Sequence, residues 1–467
     1  MIPLILARIA EITRGRLDLA SPDSVVSGPV VIHSGQAGPG ALFAALRGER
    51  SDGHAFAAEA VAAGAVAVLA EREVGEPAVI VDDVQVAMGR LARAVVDRLP
   101  DITVVGLTGS AGKTSTKDLL AHLTSRLGPT IAPPGSYNNE IGHPLTVLRA
   151  GEDTRYLVLE MGARGLGHIA RLSRIAPPDI GIVLNVGSAH IGEFGSRDVV
   201  AKAKGELVEA LSQKGTAVLN ADDPLVHAMA ARTPAEIVMF GRAPEATVRA
   251  ADESLDDAGR PRFTLVTPEG SAKVSLRLHG AHAVANALAA AATARRLGMP
   301  AADIAEGLSE AGPVSRWRME VTERPDGVTV VNDAYNANPE SVRAALDTVI
   351  HMAGEGRSFA VLGAMAELGA STVSEHEKIG AYAARGGVAG LIAVGETAAA
   401  VLKGTEQVGT WTGECVQVED VGAAVAALTE RLRPGDVVLI KGSRVAGLER
   451  VAQAVVAAVP PEGGDDA

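Results

Sequence analysis

Short apolar runs alternate with helix-like segments along the middle of the chain, beginning near residue 102. The segments between the runs carry apolar residues at helical spacing. The runs predict strands at 103–105, 156–159, 181–184, 217–219 and 237–239. Regular alternation of strand and helix is typical of a doubly wound, mostly parallel sheet, in which ligands bind beyond the carboxyl ends of the strands.

The alternation divides the chain into three units, which agrees with a length of 467 residues at roughly 150 residues a domain. We expect a small α/β domain at 1–98, a central domain at 99–314 and a Rossmann-like α/β domain at 315–467. The tail from 460 to 467 is rich in proline, glycine and aspartate, which predicts disorder. In the third unit, apolar runs predict strands at 328–331, 358–362, 390–394 and 436–440.

Composition narrows the classes of function. The net charge of −13 argues against a nucleic-acid surface, and 47% of the residues are apolar, enough for each domain to bury a core. The single cysteine, Cys415, excludes an intramolecular disulfide, indicates a reducing compartment and is interpreted as inert. The N-terminus lacks the layout of a signal peptide, and no apolar run reaches a membrane-spanning length. We therefore expect a cytoplasmic protein, and we expect it to be a monomer.

A glycine-rich loop at residues 106–115, Gly-Leu-Thr-Gly-Ser-Ala-Gly-Lys-Thr-Ser, joins a predicted strand to a helix-like segment. Such a loop binds nucleotide phosphates, because its N–H groups can approach them and the helix N-terminus is positive. Lys113 would reach the β- and γ-phosphates, and the Thr114 hydroxyl would bind Mg²⁺. The strict motif has glycine where Leu107 stands, so a plain turn is the alternative. The candidate ATP-binding residues of this phosphate loop (P-loop) are Thr108, Gly109, Ser110, Ala111, Gly112, Lys113, Thr114 and Ser115.

Glu160 and His190 each follow a predicted strand. Glu160 ends the run 156–159 beside the phosphate loop, where an ATPase places a carboxylate on Mg²⁺. His190 lies past the run 180–185, and we expect it to reach the same crevice. A solvated glutamate and a structural histidine are the alternatives.

Other polar residues have two interpretations from the sequence alone. The segment 136–142, Ser-Tyr-Asn-Asn-Glu-Ile-Gly, offers side-chain amides to a phosphate or a peptide, or else caps the next helix. His282 and Asn286 share one helix face, where they would touch a base or ribose, or act as caps. Lys202 and Lys204 are interpreted as surface lysines of a helix.

Two polar segments of the third unit also follow predicted strands. Residues 332–339, Asn-Asp-Ala-Tyr-Asn-Ala-Asn-Pro, follow one strand, and residues 441–444 follow the last strand. Each alone is a loop. Because the carboxyl ends of parallel strands meet at one edge of a sheet, the two segments together predict an edge that faces a ligand.

These motifs, in this order, resemble the Mur ligase family, the ATP-dependent amide-bond ligases of cell-wall precursor synthesis, over essentially the whole chain. The loop of that family reads Thr-Gly-x-x-Gly-Lys-Thr/Ser, as at 108–114, which accounts for Leu107, and Ala111 stands where asparagine is frequent. The segments 136–142 and 332–339 resemble those of the members that add D-alanyl-D-alanine. Further similar segments are 43–49, 52–54 and 361–369, with His376 downstream.

The resemblance implies roles for individual residues. Lys113, Thr114 and Glu160 would bind the ATP phosphates and a first Mg²⁺, and His190 would hold a second Mg²⁺. Lys204 falls where related ligases carry a lysine that can be carbamylated, a change that turns a cation into a metal-binding anion.

The resemblance also implies contacts from all three domains. Asn286 and His282 would meet the adenine, while Arg318 and Asp333 would close on the γ-phosphate and the ribose. The first domain would hold the UDP group, and of the family's Asp-Ser-Arg only Ser34 is retained. The candidate substrate-binding residues are Ser34, Asn138, Asn139, Tyr335 and Asn336.

The implied reaction joins the carboxylate of a UDP-MurNAc-tripeptide to the amine of D-Ala-D-Ala, with ATP and two Mg²⁺ ions. One alternative is a sister amide ligase, which would lack the segments 136–142 and 332–339. Another is a nucleotide-binding switch without ligase turnover, and retention of the candidate phosphate and metal residues argues against it.

Overall fold

The computed structural model describes residues 1–48, 51–187 and 191–458. Its strands form a two-stranded ribbon and three larger sheets of five, nine and six strands, which follow one another along the chain. Helices pack on the sheets. The predicted α/β fold class is confirmed.

The first sheet is small. The strands of this part are β1 (Leu4–Ile5), β2 (Arg16–Asp18), β3 (Val25–Val26), β4 (Val30–Val31), β5 (Leu42–Ala44), β6 (Ala67–Ala70) and β7 (Ala78–Ile80). Its helices are α1 (Leu6–Thr13), α2 (Ala57–Ala62) and α3 (Val84–Val96). Strands β4 to β7 run parallel, β2 lies antiparallel at the edge, and β1 pairs with β3.

The central sheet carries the phosphate loop. Its strands are β8 (Thr103–Thr108), β9 (Thr130–Ile131), β10 (Tyr156–Glu160), β11 (Ile180–Val183), β12 (Thr216–Asn220), β13 (Glu236–Gly241), β14 (Val248–Leu255), β15 (Pro261–Thr267) and β16 (Gly270–Ser275). Its helices are α4 (Lys113–Ser125), α5 (Gly142–Val147), α6 (His168–Ile175), α7 (Ile191–Phe194), α8 (Arg197–Glu209), α9 (Pro224–His227), α10 (His282–Arg296) and α11 (Ala301–Glu310).

The strand order of this sheet is β16-β15-β14-β13-β12-β11-β8-β10-β9. It is parallel from β9 through β14, and β15 and β16 continue it antiparallel. Strands β8 and β10 to β13 agree with the sequence prediction, whereas the short β9 was not predicted. Strands β14 to β16 were not predicted, because polar residues interrupt their apolar positions and leave no apolar run to detect.

Two groups of helices cover opposite faces of the central sheet. Along β10, Leu157 and Leu159 pack in one apolar cluster with α6 and α8, whereas Val158 packs in a second cluster with α4, α10 and α11. Successive residues of a strand point to opposite faces, so the clusters define the two sides. The alanines of α10 between residues 287 and 294 are buried in the second cluster, as the sequence predicts for core packing.

The first and central sheets share an apolar core. Leu69 of β6 and Leu91 of α3 belong to the same buried cluster as Ile169 of α6 and Ala203 of α8. Helix α3 lies so close to α6 that a methyl group at Gly89 would come within 3.3 Å of Ile175. The interface between these two parts of the chain is therefore apolar.

The third sheet is Rossmann-like. Its strands are β17 (Glu320–Glu323), β18 (Thr329–Asn332), β19 (Ser358–Leu362), β20 (Gly390–Val394), β21 (Glu414–Val418) and β22 (Val437–Lys441). Its helices are α12 (Pro339–Ala353), α13 (Thr372–Arg385), α14 (Ala400–Glu406), α15 (Val421–Thr429) and α16 (Glu449–Ala457). The order is β17-β18-β22-β19-β20-β21, with β17 antiparallel and the other pairs parallel.

Three further expectations concern parts of the chain away from the site. Cys415 is half-buried, and burial raises the pKa of its thiol, which favours the unreactive form. Within the three described stretches, no helix combines the length and apolar character needed to cross a bilayer. The tail at 460–467 lies outside the described residues.

Candidate active site

A cavity of about 1040 Å³ lies between the central and third sheets. It is bordered by the carboxyl ends of β8, β10 and β11 on one side and of β18 and β22 on the other. Among the described residues that line it are eight lysines and arginines and six aspartates and glutamates. A protein with a net charge of −13 thus presents a locally cationic cavity, as an anionic ligand requires.

The phosphate loop forms one wall of this cavity. It runs from the end of β8 to the start of α4 at Lys113, and Gly112 has a left-handed φ of 81°. A Cβ at this position would also lie 2.3 Å from the Asn286 Oδ1, so a side chain would collide with α10. Glycine is required at 112 for both reasons, and Asn286 is placed against the loop.

Asn185 holds the loop from the neighbouring strand β11. Its Oδ1 accepts hydrogen bonds from the backbone N–H groups of Ser110 and Ala111, both at 2.9 Å, and its Nδ2 donates to the Ala111 carbonyl at 3.1 Å. The Gly187 N–H donates to the Ser110 hydroxyl. Sequence reasoning missed Asn185 as a functional residue, although its position just after the strand beside β8 was a usable signal.

Lys113 is folded back against its own loop. Its Nζ donates to the Gly109 carbonyl at 2.8 Å. Burial lowers the pKa of the ammonium, Glu160 opposes that shift, and Arg318 adds to it. A cation held this close to the loop lies within reach of phosphates bound there.

Thr114 and Glu160 meet at the bottom of the cavity. The Thr114 hydroxyl donates to the Glu160 Oε2 at 2.9 Å and lies 2.7 Å from the Ser136 hydroxyl. Asn138 Nδ2 donates to the other Glu160 oxygen at 2.6 Å. Glu160 is buried, so the alternative of a solvated glutamate is wrong.

The Thr114 hydroxyl and the Glu160 carboxylate are hard oxygen ligands, which suit Mg²⁺. In the described part of the chain, no group of three or more His, Cys, Asp or Glu side chains could hold a metal by itself. One hydroxyl and one carboxylate nevertheless fit Mg²⁺ bound together with a nucleotide, because that ion takes its remaining ligands from phosphate oxygens and water. His190 lies outside the described residues.

Lys204 corrects the interpretation from the sequence. It is only 4% exposed, whereas Lys202 is exposed as expected. Helix α8 turns Lys204 into the cavity, where burial, and to a smaller degree the charge of Lys113, lowers its pKa well below the ordinary value. A two-residue shift on a helix rotates a side chain by about 200°, and the weak apolar pattern of α8 did not reveal which lysine faces inward.

Asn139 supports both interpretations of its segment. Its Oδ1 accepts from the N–H groups of Ile141 and Gly142, at 3.2 and 2.9 Å, at the start of α5. It also lines the cavity, as does Asn138.

His282 and Asn286 lie on the first turns of α10 and face the cavity. The N-terminus of α10 has no side-chain cap, so the capping alternative is wrong for both. Burial lowers the pKa of His282, the Asp333 carboxylate opposes that shift, and Lys441 adds to it.

The third part of the chain contributes three charged side chains to the cavity, those of Arg318, Asp333 and Lys441. The Arg318 guanidinium donates to the hydroxyls of Thr114, at 3.2 Å, and Ser136, at 3.0 Å, and lies 4.1 Å from the centre of the Tyr335 ring. Asp333 accepts from the Lys441 Nζ at 2.5 Å. Arg318 thus reaches from the third part of the chain to the phosphate loop.

The other candidate substrate residues divide into two groups. Tyr335 and Asn336 line the cavity, and the Asn336 carbonyl accepts from Lys441 at 2.9 Å. Ser34 does not line it, because it lies in a 3-10 turn, Ser34–Gln36, just after β4 of the first sheet.

Three family models match successive parts of this chain. They describe a Mur ligase family catalytic domain at residues 29–110, a Mur ligase middle domain at 107–294 and a Mur ligase glutamate ligase domain at 317–444. The UDP-N-acetylmuramoyl-tripeptide--D-alanyl-D-alanine ligase of Mycobacterium bovis is 48% identical over 501 residues, covering 98% of each chain. The chain belongs to the Mur ligase family.

Solved structures of similar proteins extend the comparison. This Mur ligase shares a TM-score of 0.84 and 30% identity with the UDP-N-acetylmuramoylalanyl-D-glutamyl-2,6-diaminopimelate--D-alanyl-D-alanyl ligase from Acinetobacter baumannii, over 97% of this chain and 98% of the other. With the MurF ligase from Thermotoga maritima in complex with ADP, the TM-score is 0.80 and the identity 30%, over 92% and 98%. The Mur ligase fold extends over nearly the whole chain.

Proposed function

We propose that this Mur ligase joins the terminal carboxylate of UDP-MurNAc-tripeptide to the amine of D-Ala-D-Ala, while ATP is converted to ADP and phosphate. The ligase of Mycobacterium bovis that is named for these substrates is similar over 98% of the chain, which supports them as the substrates here. The observation that carries the mechanism is the contact of Arg318 with Thr114, since it brings the third domain onto the phosphate loop.

The proposed reaction has two chemical steps. A carboxylate oxygen of the tripeptide attacks the γ-phosphorus of ATP, and the bond from that phosphorus to the β,γ-bridging oxygen breaks. ADP is released, and the tripeptide becomes an acyl phosphate. The amine of D-Ala-D-Ala then attacks the activated carbonyl carbon, and the tetrahedral intermediate expels phosphate as the amine loses a proton. Both steps bring anionic groups together, so catalysis requires positioning and charge neutralisation.

The chain supplies these functions with residues from two domains. The loop held by Asn185 would bind the phosphates, and Lys113 would turn from the Gly109 carbonyl toward their charge. Arg318 would neutralise the transferring group from the opposite side. Closure of the third domain would exclude water, which protects an acyl phosphate from hydrolysis.

We propose Thr114 and Glu160 as the residues that hold a first Mg²⁺, and His190 with a carbamylated Lys204 as those that hold a second. Bound Mg²⁺ would supply additional positive charge near the phosphates. The lowered pKa of Lys204 supports carbamylation, because only a neutral amine reacts with CO₂.

The remaining proposals concern substrate contacts. Asn286 and His282 would meet the adenine, and Asp333 the ribose. Tyr335 and Asn336 would contact the peptide substrates from the third domain, and Asn138 and Asn139 from the central one. Ser34 would bind the UDP group in the first domain, away from the cavity.

Phosphate release measured with ATP, Mg²⁺, UDP-MurNAc-tripeptide and D-Ala-D-Ala tests the proposal. We expect release only when both peptide substrates are present, with the pentapeptide product detected by mass spectrometry. Release with another amino acid in place of D-Ala-D-Ala would identify a sister ligase. Nucleotide binding without any release would identify a switch, and either result overturns the proposed function.

A further inference from the structure

Arg164 is a cation of the cavity to which the proposed reaction gives no task. It lies on the loop of residues 162–167, which leads from β10 to α6, and its side chain is exposed and lines the cavity. Among the described residues, none forms an ion pair or hydrogen bond with its guanidinium. The charge of Arg164 is therefore available to a ligand.

The loop that carries Arg164 is fixed at both ends. The Gly162 N–H donates to the Asn138 carbonyl at 2.8 Å, and a Cβ at Gly162 would come within 3.0 Å of the Asn138 Oδ1. At the other end, Glu206 of α8 accepts from the N–H groups of Gly167 and Ala170, at 2.5 and 3.0 Å. These contacts hold the backbone that carries Arg164 in place, which lowers the entropic cost of binding there.

The position of Arg164 separates it from the nucleotide residues. Helix α6 belongs to the apolar cluster shared with the first sheet, whereas α10, with His282 and Asn286, packs on the opposite face of the central sheet. The first domain is the proposed holder of the UDP group. A UDP-linked peptide that extends from that domain to Glu160 would therefore approach from the side of the sheet on which Arg164 lies.

Among the neighbouring cations, Lys204 is buried and Arg197 donates to the Val186 carbonyl, whereas the guanidinium of Arg164 is exposed and has no partner in the described structure. His168 lies beside it on the same side, but its Nδ1 is 3.4 Å from the Glu140 Oε1. Leu166, on the loop of Arg164, and Tyr137, on the adjoining segment 136–142, are exposed apolar side chains that do not line the cavity. An exposed guanidinium without a protein partner at the cavity wall suits a ligand with a free carboxylate.

We propose that Arg164 binds a carboxylate of the tripeptide that does not take part in the reaction, an assignment that rests on the proposed function. A glutamyl residue keeps one carboxylate after it has formed its peptide bond, and a diaminopimelate keeps one when the other reacts. Both belong to the substrate named for the ligase from Acinetobacter baumannii. A planar guanidinium recognises either group with two parallel hydrogen bonds.

Calorimetry and steady-state kinetics on the full chain test the assignment with two substrates, UDP-MurNAc-tripeptides ending in diaminopimelate or in lysine. We expect Arg164→Ala to raise the Kd and KM for the tripeptide about ten- to a hundredfold, the usual range for a hydrogen bond to a charged group. Arg164→Lys should recover only part of the loss. The KM for ATP and for D-Ala-D-Ala should change less than about twofold.

Arg171→Ala is the matched control, because Arg171 is an exposed cation of α6 that does not line the cavity. A loss confined to the diaminopimelate substrate assigns the diaminopimelate carboxylate, and an equal loss with both substrates assigns the glutamyl carboxylate. Unchanged tripeptide affinity, or an equal loss in Arg171→Ala, overturns the proposal. If the wild-type protein binds the tripeptide but does not ligate it, the proposed function fails while the calorimetric comparison still tests Arg164.

Discussion

The Arg318 guanidinium lies 3.2 Å from the Thr114 hydroxyl, although 204 positions separate the two residues in the chain. The same hydroxyl contacts Glu160 and Ser136, so one small polar group connects the phosphate loop, the candidate metal ligand and the third domain. We therefore expect closure of the third domain to assemble the candidate catalytic residues.

We expect Arg318→Ala to lower kcat about a hundredfold or more, because it removes the charge that the third domain brings to the phosphates. Arg318→Lys keeps the charge but loses the planar stack on Tyr335, and it should recover only a minor part. Steady-state kinetics at saturating ATP measure both variants. Wild-type activity in Arg318→Lys would show that the stack and the two-hydroxyl contact are unimportant.

Lys113→Ala should reduce kcat by about a hundredfold or more, since the ammonium is the cation nearest the loop carbonyl at Gly109. Lys202→Ala is the control, because Lys202 is an exposed lysine outside the cavity. Phosphate-release assays compare the two variants with the wild-type protein. Retained activity in Lys113→Ala would mean that the phosphate loop is misassigned.

Lys204→Met should change activity and stability in opposite directions. Activity should fall about a hundredfold or more, while Tm rises in metal-free buffer without CO₂, because a buried ammonium is replaced by an apolar group.

The direction of the expected change in Tm follows from the lowered pKa of Lys204. The folded state disfavours the protonated form, so the penalty is full below the folded pKa and disappears as pH rises toward the unfolded value of 10.5. The rise in Tm from the wild-type protein to Lys204→Met should therefore be larger at pH 6 than at pH 10. An equal Tm for wild type and Lys204→Met at pH 6 contradicts the argument.

His143, in α5, should make stability depend on pH. It is fully buried, and burial lowers its pKa from 6.5 to about 4. The Leu172 backbone opposes this shift only weakly, because it does not reach good hydrogen-bond geometry with either ring nitrogen. The unfolded state binds the proton first as pH falls, so stability is lost between pH 6.5 and 4.

The size of this effect is about 3 kcal/mol, from about 1.4 kcal/mol for each pKa unit. His143→Leu should remove that part of the pH dependence. Urea unfolding of both proteins at pH 7 and pH 5 should show about 2 kcal/mol of this difference, because pH 5 lies about 1.5 units below the unfolded pKa and other titrating groups are common to the two. Parallel curves would show that His143 does not titrate on unfolding.

Gly192 and Gly369 make a close backbone contact between the central and third domains. The Gly192 N–H donates to the Glu367 carbonyl at 3.0 Å, and a Cβ at Gly192 would lie 2.5 Å from the Gly369 nitrogen. Gly192→Ala should lower kcat by about tenfold with little change in the KM for ATP, because it obstructs closure rather than nucleotide binding. Gly409→Ala, where no atom lies within 4 Å of the added methyl, is the control. Equal kcat values in the two variants would exclude a role for the contact.

The sequence was sufficient where a local pattern sets the structure. The parallel strands β8, β10 and β11 are apolar runs, and the glycine at 112 follows from the turn that a phosphate loop needs. The boundaries at 98 and 314, like the roles of the individual site residues, stay predictions.

Long-range packing decided what the sequence could not reveal. Lys204 resembles Lys202 in the sequence, and only the packing of α8 determines which of them is buried. Asn185 contacts the phosphate loop because the fold brings it beside Ala111, which lies 74 residues earlier in the sequence. Strands β14 to β16 are stabilised by pairing at the edge of an existing sheet, which requires no apolar run of their own.

The two interfaces of the central domain differ in composition. The interface with the first domain is apolar, and exposing it to water would cost free energy. The contacts to the third domain include hydrogen bonds and a glycine–glycine approach that water can replace. We therefore expect the first two domains to move together and the third domain to be the part that opens. A compound lodged between α7 and Gly369 would arrest the enzyme in its open form without resembling any of its substrates.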